Sequence, residues 1–75
     1  MKLSNSDKFE IEKVMDIQVG WLTDRLSKLC DVATNMCAMK RDTKDIDEVI
    51  KGVAEARSVY REISKKFEAE RLNTN

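Results

Sequence analysis

The sequence predicts an all-α protein built on an antiparallel helical hairpin, and three observations lead to this fold class. Two stretches carry apolar residues at alternating spacings of three and four, which keeps side chains on one narrow stripe of a helix. The chain contains no proline and two glycines. In addition, 37% of its residues are charged. This composition is typical of long helices rather than of turn-rich β-structure.

The two apolar stripes, which we call the seam, are expected to face each other. A short polar segment at residues 40–44 separates them, and so brief a connection requires antiparallel neighbours. The first predicted helix covers about residues 7–39, with Ser4 or Ser6 as its N-cap, and the second covers about residues 44–71, capped by Asp42 or Thr43. The seam positions are Met15, Val19, Leu22, Leu26, Leu29, Ala33 and Met36, and then Ile46, Val49, Val53, Ala56, Tyr60, Ile63 and Phe67.

The first two turns, from Asp7 onwards, do not continue the seam, because Lys8 and Glu12 occupy the equivalent positions. We expect this segment to face another partner or to bend away, as a short N-terminal helix ahead of the hairpin. Gly20 lowers helix stability by about 1 kcal/mol relative to alanine, so a bend or break is expected within residues 16–20. The whole chain, residues 1–75, is predicted to be one domain.

A second set of apolar residues predicts self-association. Two helices bury one seam and cannot also hide a further stripe, and a chain of 75 residues has only a marginal core of its own. The sequence therefore predicts a homo-oligomeric helical bundle. The predicted interface residues are Val14, Ile17, Trp21, Ile50 and Val59.

Charge and hydropathy narrow the classes of partner. Lys plus Arg number 14, as do Asp plus Glu, so the chain lacks the basic surplus that binds nucleic acid polymers. No apolar run approaches the ~18 residues that span a bilayer, and residues 1–12 lack a signal-peptide core, so a cytoplasmic location is expected. Cys30 and Cys37 would lie about 10 Å apart on one helix, too far for a disulfide. They are predicted to be reduced thiols that pack as small apolar residues.

The residue types argue for a binding protein rather than an enzyme. The chain has no histidine, the commonest general base and metal ligand, and no motif for a cofactor, a metal or a nucleophile. What remains are cations and aromatic rings. Arg57, Arg61 and Lys65 recur beside Tyr60 and form either a site for an acidic partner or a solvated face. Trp21 is either an anchor between subunits or a stacking surface for a base.

Part of the sequence also resembles a known family. The stretch Leu3–Asp7, followed by Ile11, Val14 and Val19–Leu26, resembles the opening of the anti-CBASS sponges, small phage proteins that sequester cyclic oligonucleotides. The segment Val59–Ile63 is similar to their last helix, where an arginine lies between apolar residues. The resemblance implies a short first helix bent against a helical hairpin, assembly as a homohexamer, and capture of a cyclic di- or trinucleotide between subunits in the host cytoplasm.

The same resemblance implies a ligand site. Arg61 matches the family's arginine and becomes a candidate phosphate contact. The family's lysine falls on Met15 in this chain, with Lys13 nearby, so Lys2 and Lys13 are the substitute cations and Phe9 is the candidate stacking group. Two hypotheses follow from the sequence: a non-enzymatic phage anti-defence sponge for cyclic oligonucleotides, or a small helical hairpin that docks on or inhibits a partner protein, such as a host protein.

Overall fold

The computed structural model describes residues 2–73, which form two antiparallel α-helices and no strand. Helix α1 spans Asn5–Ala38 and helix α2 spans Lys44–Asn73. They form a rod of 56 × 17 × 16 Å. The all-α hairpin predicted from the seam is confirmed.

Both ends of α1 follow local sequence signals. The Ser4 hydroxyl accepts a hydrogen bond from the Asp7 N–H at 3.0 Å, and the Asp7 carboxylate accepts one from the Ser4 N–H at 3.2 Å. This capping box satisfies two N–H groups at the helix start. At the other end, Lys40 adopts a φ of 59°, and the Arg41 N–H reaches the Met36 carbonyl at 2.9 Å. This pattern ends the helix and turns the chain towards α2.

The start of α2 is held by the two residues that the sequence suggested. The Asp42 carboxylate accepts a hydrogen bond from the Lys44 N–H at 3.0 Å. The Thr43 hydroxyl donates to the Asp47 carboxylate at 3.0 Å, and the Thr43 carbonyl accepts from the Asp47 N–H at 2.8 Å. The connection between the helices is therefore short and fixed at both ends.

The seam forms the interface between the helices. Every predicted seam position except Val49 is buried or half-buried, and Leu22 is the most deeply buried apolar residue. Val49 is 52% exposed, whereas its neighbour Ile50 is half-buried. The prediction that Val49 belongs to the seam is therefore corrected, whereas the prediction that Ile50 lies in a subunit interface stays a prediction.

A separate N-terminal helix is wrong, because α1 runs from Asn5 through residues 16–20 without interruption. Lys8 and Glu12 do not turn away from α2. They reach it through ion pairs, Lys8 to Glu70 at 3.7 Å and Glu12 to Arg71 at 2.7 Å. Charged pairs thus continue the interface where the apolar seam stops. Gly20 is exposed and has no side chain close to it, so no contact with a neighbouring group requires the helix to bend there.

Candidate functional site

The hairpin has two unlike sides, and heptad positions define them. If seam residues take positions a and d, then Phe9, Asp16 and Thr23 fall on position e of α1. The same lettering puts four residues on position e of α2: Ile50, Arg57, Ser64 and Arg71. We call Phe9, Asp16, Thr23, Arg57, Ser64 and Arg71 the polar side.

Side-chain hydrogen bonds join the polar side across the helix pair. The Arg57 Nε donates to the Thr23 hydroxyl at 2.7 Å, and the Ser64 hydroxyl donates to the Asp16 carboxylate at 2.7 Å. Both bonds join position e of one helix to position e of the other. The antiparallel pair therefore places both e rows on one side, and both g rows must lie on the opposite side.

The most complete ionic contact lies at the open end of the hairpin. The Arg71 guanidinium donates to both carboxylate oxygens of Glu12, from Nε at 2.7 Å and from Nη2 at 3.1 Å. The Glu12 side chain is only 8% exposed, against 29% for Arg71. The hydrogen bond to Glu12, above all, raises the pKa of Arg71, with a further contribution from Glu68. Arg71 is therefore fully charged at neutral pH and balances the buried carboxylate.

Phe9 carries two cations close to its ring. The Lys13 Nζ lies 5.5 Å and the Arg71 Cζ 5.2 Å from the ring centroid, within the range of cation–π attraction. The ring is 46% exposed. Two of the predicted ligand residues, Phe9 and Lys13, are thus brought together, and Arg71 joins them.

The other two predicted ligand residues lie elsewhere. Arg61 is exposed on α2, ten residues before Arg71, which corresponds to about 15 Å along the helix. Lys2 is exposed and precedes α1. Residues 2–73 of one chain contain no enclosed pocket and no group of acidic or cysteine side chains placed to hold a metal ion. A single chain therefore brings Phe9 and Lys13 together and presents Arg61 and Lys2 apart from them.

The opposite side of the hairpin is apolar. Val14 and Trp21 occupy position c of α1, next to position g, and Ile17 lies beside them at position f. Val32 and Val59 occupy position g of α1 and α2. We call these five residues the apolar side. Each is about half-exposed, and Trp21 reaches 60%.

The heights of these residues along the rod follow from the bonds across the polar side. Trp21 lies two residues before Thr23 on α1, and Val59 lies two residues after Arg57 on α2. Because the helices are antiparallel, both steps move about 3 Å towards the open end. Trp21 and Val59 therefore lie level with each other, so the apolar side extends across both helices.

The thiols are exposed rather than packed. Cys30 and Cys37 are free and lie on position e of α1, the row that continues the polar side. The prediction that they pack as small apolar residues is wrong, because position e at this end of α1 remains open to solvent.

Arg71 and Ser64 were missed by the sequence prediction, and Arg57 was predicted only as part of a cationic face, although a signal for all three exists. They recur every seven residues on α2, and polar residues recur in the same way on position e of α1. A search for polar residues at position e of both helices, in addition to the search for apolar stripes, would have predicted the hydrogen bonds of the polar side.

None of the helices in the described part of the chain combines the length and the hydropathy needed to cross a bilayer. When the chain is compared with family models, curated proteins and solved structures, nothing matches it.

Proposed function

We propose that this chain is a non-enzymatic interaction protein whose apolar side docks on a helical surface of a partner. One observation carries the proposal. The seam uses the apolar residues that hold α1 to α2, so Val14, Ile17, Trp21 and Val59 have no role in holding the hairpin together and are half or more exposed. Apolar residues that cluster on one side of a small protein mark an interaction surface.

The composition of the apolar side supports docking of a helix. Tryptophan is enriched at the energetic centre of protein interfaces. Here Trp21 lies between Ile17 and Val59, and the helical spacing of Val14, Ile17 and Trp21 presents a ridge to a partner groove. Asp24 and Lys28 form an ion pair of 3.1 Å beside this ridge, which provides a polar rim.

Site-specific photocrosslinking tests the proposal. A benzophenone amino acid replaces Trp21 in the full chain, and a control carries it at the exposed Ser27, on the other flank of α1. We expect covalent adducts from position 21 in the cells that naturally produce the protein, to a second copy or to another protein, and few from position 27. The absence of adducts from position 21, or equal adducts from both positions, would contradict the proposal.

A second candidate function is the capture of a cyclic oligonucleotide, as the family resemblance implies. The contact of the half-exposed Phe9 ring with Lys13 and Arg71 favours it, because such a group can stack on a base and attract a phosphate. Since Arg61 lies about 15 Å away along α2, a ligand that touches both would need an assembly of several copies.

Calorimetry with a panel of cyclic di- and trinucleotides tests this second candidate. We expect heat of binding for at least one of them, which Phe9→Ala weakens while helix content is retained. Arg61→Ala serves as a separate test of the residue implied by the family. If no cyclic nucleotide gives heat, the sponge hypothesis fails, whereas the interaction-protein proposal remains.

A further inference from the structure

The charges that flank the apolar side differ between the two helices. Between residues 11 and 35, positions c and g of α1 carry the cations Arg25 and Lys28 and no acid. The same positions of α2 carry one cation, Lys66, and four acids: Asp45, Glu48, Glu55 and Glu62. Position f carries the opposite signs, with Asp24 and Asp31 on α1 and Lys51 and Lys65 on α2, and Asp24 pairs with Lys28 within α1. Within residues 2–73, Arg25 of α1 and Glu55 of α2 form no ion pair, so both are free to oppose a charge on a second copy.

We propose that the apolar side holds a second copy of this chain, with α1 of each copy packed against α2 of the other in a four-helix bundle. This inference rests on the proposed function and names its partner. Charge decides the arrangement. Packing α1 on α1 would oppose cations to cations and would oppose the four acids of α2 to one another. Packing α1 on α2 opposes Arg25 of each copy to Glu55 of the other.

Symmetry then fixes which residues meet. A two-fold axis parallel to the helices places α1 of one copy on α2 of the other and leaves every residue at its own height. Arg25 lies two residues after Thr23, and Glu55 lies two residues before Arg57, so these residues are level. Arg25 thus meets Glu55 of the second copy, and at the neighbouring level Trp21 meets Val59 of the second copy.

The arrangement also leaves the polar side facing solvent, with Phe9 and both thiols on the outer surface of the bundle. The two copies bury each other's tryptophan, so one substitution removes two anchors at once.

Sedimentation equilibrium with charge-reversal variants tests the inference. We expect the unmodified chain to have twice the 8.7 kDa mass of one chain at micromolar concentration. Arg25→Glu and Glu55→Arg should each raise the dissociation constant by roughly tenfold, since each reversal acts twice in the symmetric dimer. The double variant should restore the wild-type constant. Trp21→Ala should raise the constant by more than about a hundredfold.

Arg61→Glu is the matched control, because it reverses an exposed charge on α2 away from the apolar side. It should leave the mass unchanged, and circular dichroism should show equal helix content in all variants. A single-chain mass for the unmodified protein would overturn the two-copy inference; the docking proposal would survive if position 21 crosslinks to another protein. If the unmodified chain is a dimer but the double variant associates as weakly as the single variants, the packing of α1 on α2 is overturned.

Discussion

The two sides of the hairpin show how one pair of helices can divide its tasks. On the polar side, Thr23 and Asp16 are bonded to residues of α2, so the groups there complete each other within one chain. On the apolar side, Trp21 and Val59 lie level with each other and remain half-exposed. The first side sets the register of the hairpin, and the second provides surface for a partner. Changes to the seam and the polar side should therefore affect folding, and changes to the apolar side should affect association.

The seam is common to both sides, so its disruption should have the largest effect. Leu22 is the most deeply buried apolar side chain and lies between Trp21 and Thr23. Leu22→Ala should lower the free energy of unfolding by about 3 kcal/mol, through lost burial and the cavity that it leaves. Urea denaturation followed by circular dichroism measures this. A loss below about 1 kcal/mol would mean that the seam is not the core of the fold.

Disruption of the ion pair at the open end should give the second-largest loss of stability, and it tests the polar side. Arg71→Ala leaves the Glu12 carboxylate, only 8% exposed, without its bidentate donor. We expect Arg71→Ala to lower the free energy of unfolding by about 2 kcal/mol. Glu12→Gln should lower it by only about 1 kcal/mol, because Arg71 can still reach water. The same denaturation experiment compares the two variants. Equal losses of unfolding free energy in the two variants would show that the difference in burial between Glu12 and Arg71 does not affect stability.

Glycine substitutions should give a smaller change of opposite sign. A methyl group at Gly20 or Gly52 meets nothing within 4 Å. Gly20→Ala and Gly52→Ala should each stabilise the hairpin by about 0.5 to 1 kcal/mol, since alanine is the better helix former. Thermal denaturation at one fixed protein concentration detects the gain. A loss of stability at Gly20 would show that this position is more crowded than its open surroundings indicate.

The smallest effect on folding should come from the apolar side. Trp21→Gln replaces a side chain that is 60% exposed, so the free energy of unfolding of the single hairpin should change by less than about 0.5 kcal/mol. Unfolding is best measured at protein concentrations too low for association. A loss comparable to that of Leu22→Ala would mean that Trp21 belongs to the core of one chain and would remove the distinction between the two sides.

The sequence predicted the hairpin because its dominant signal, the alternation of spacings through Leu22 and Leu26, depends on apolar burial alone. It failed at Lys8 and Glu12, since an apolar pattern does not reveal that a charged residue is buried beside an opposite charge on a distant helix. Val49 was misplaced for a related reason: it and its neighbour Ile50 both fit an apolar stripe near a helix end, and only packing shows that Ile50 is the more buried of the two.

The candidate site was predicted less well than the fold. Phe9 and Lys13 are four residues apart on one helix, so their proximity follows from helical geometry. Arg71 joins them from the other helix and could be placed only by the register between e positions. Arg61 was assigned to a phosphate by resemblance, and the structure sets it about 15 Å along α2 from Arg71.

Trp21 is the single tryptophan of the chain, so its fluorescence reports directly on the apolar side. The account predicts that the emission maximum moves to shorter wavelength as the concentration of the unmodified protein rises from nanomolar to micromolar, because Trp21 leaves water when two copies pack. An emission maximum that stays at the value of fully hydrated tryptophan over the whole range would contradict it.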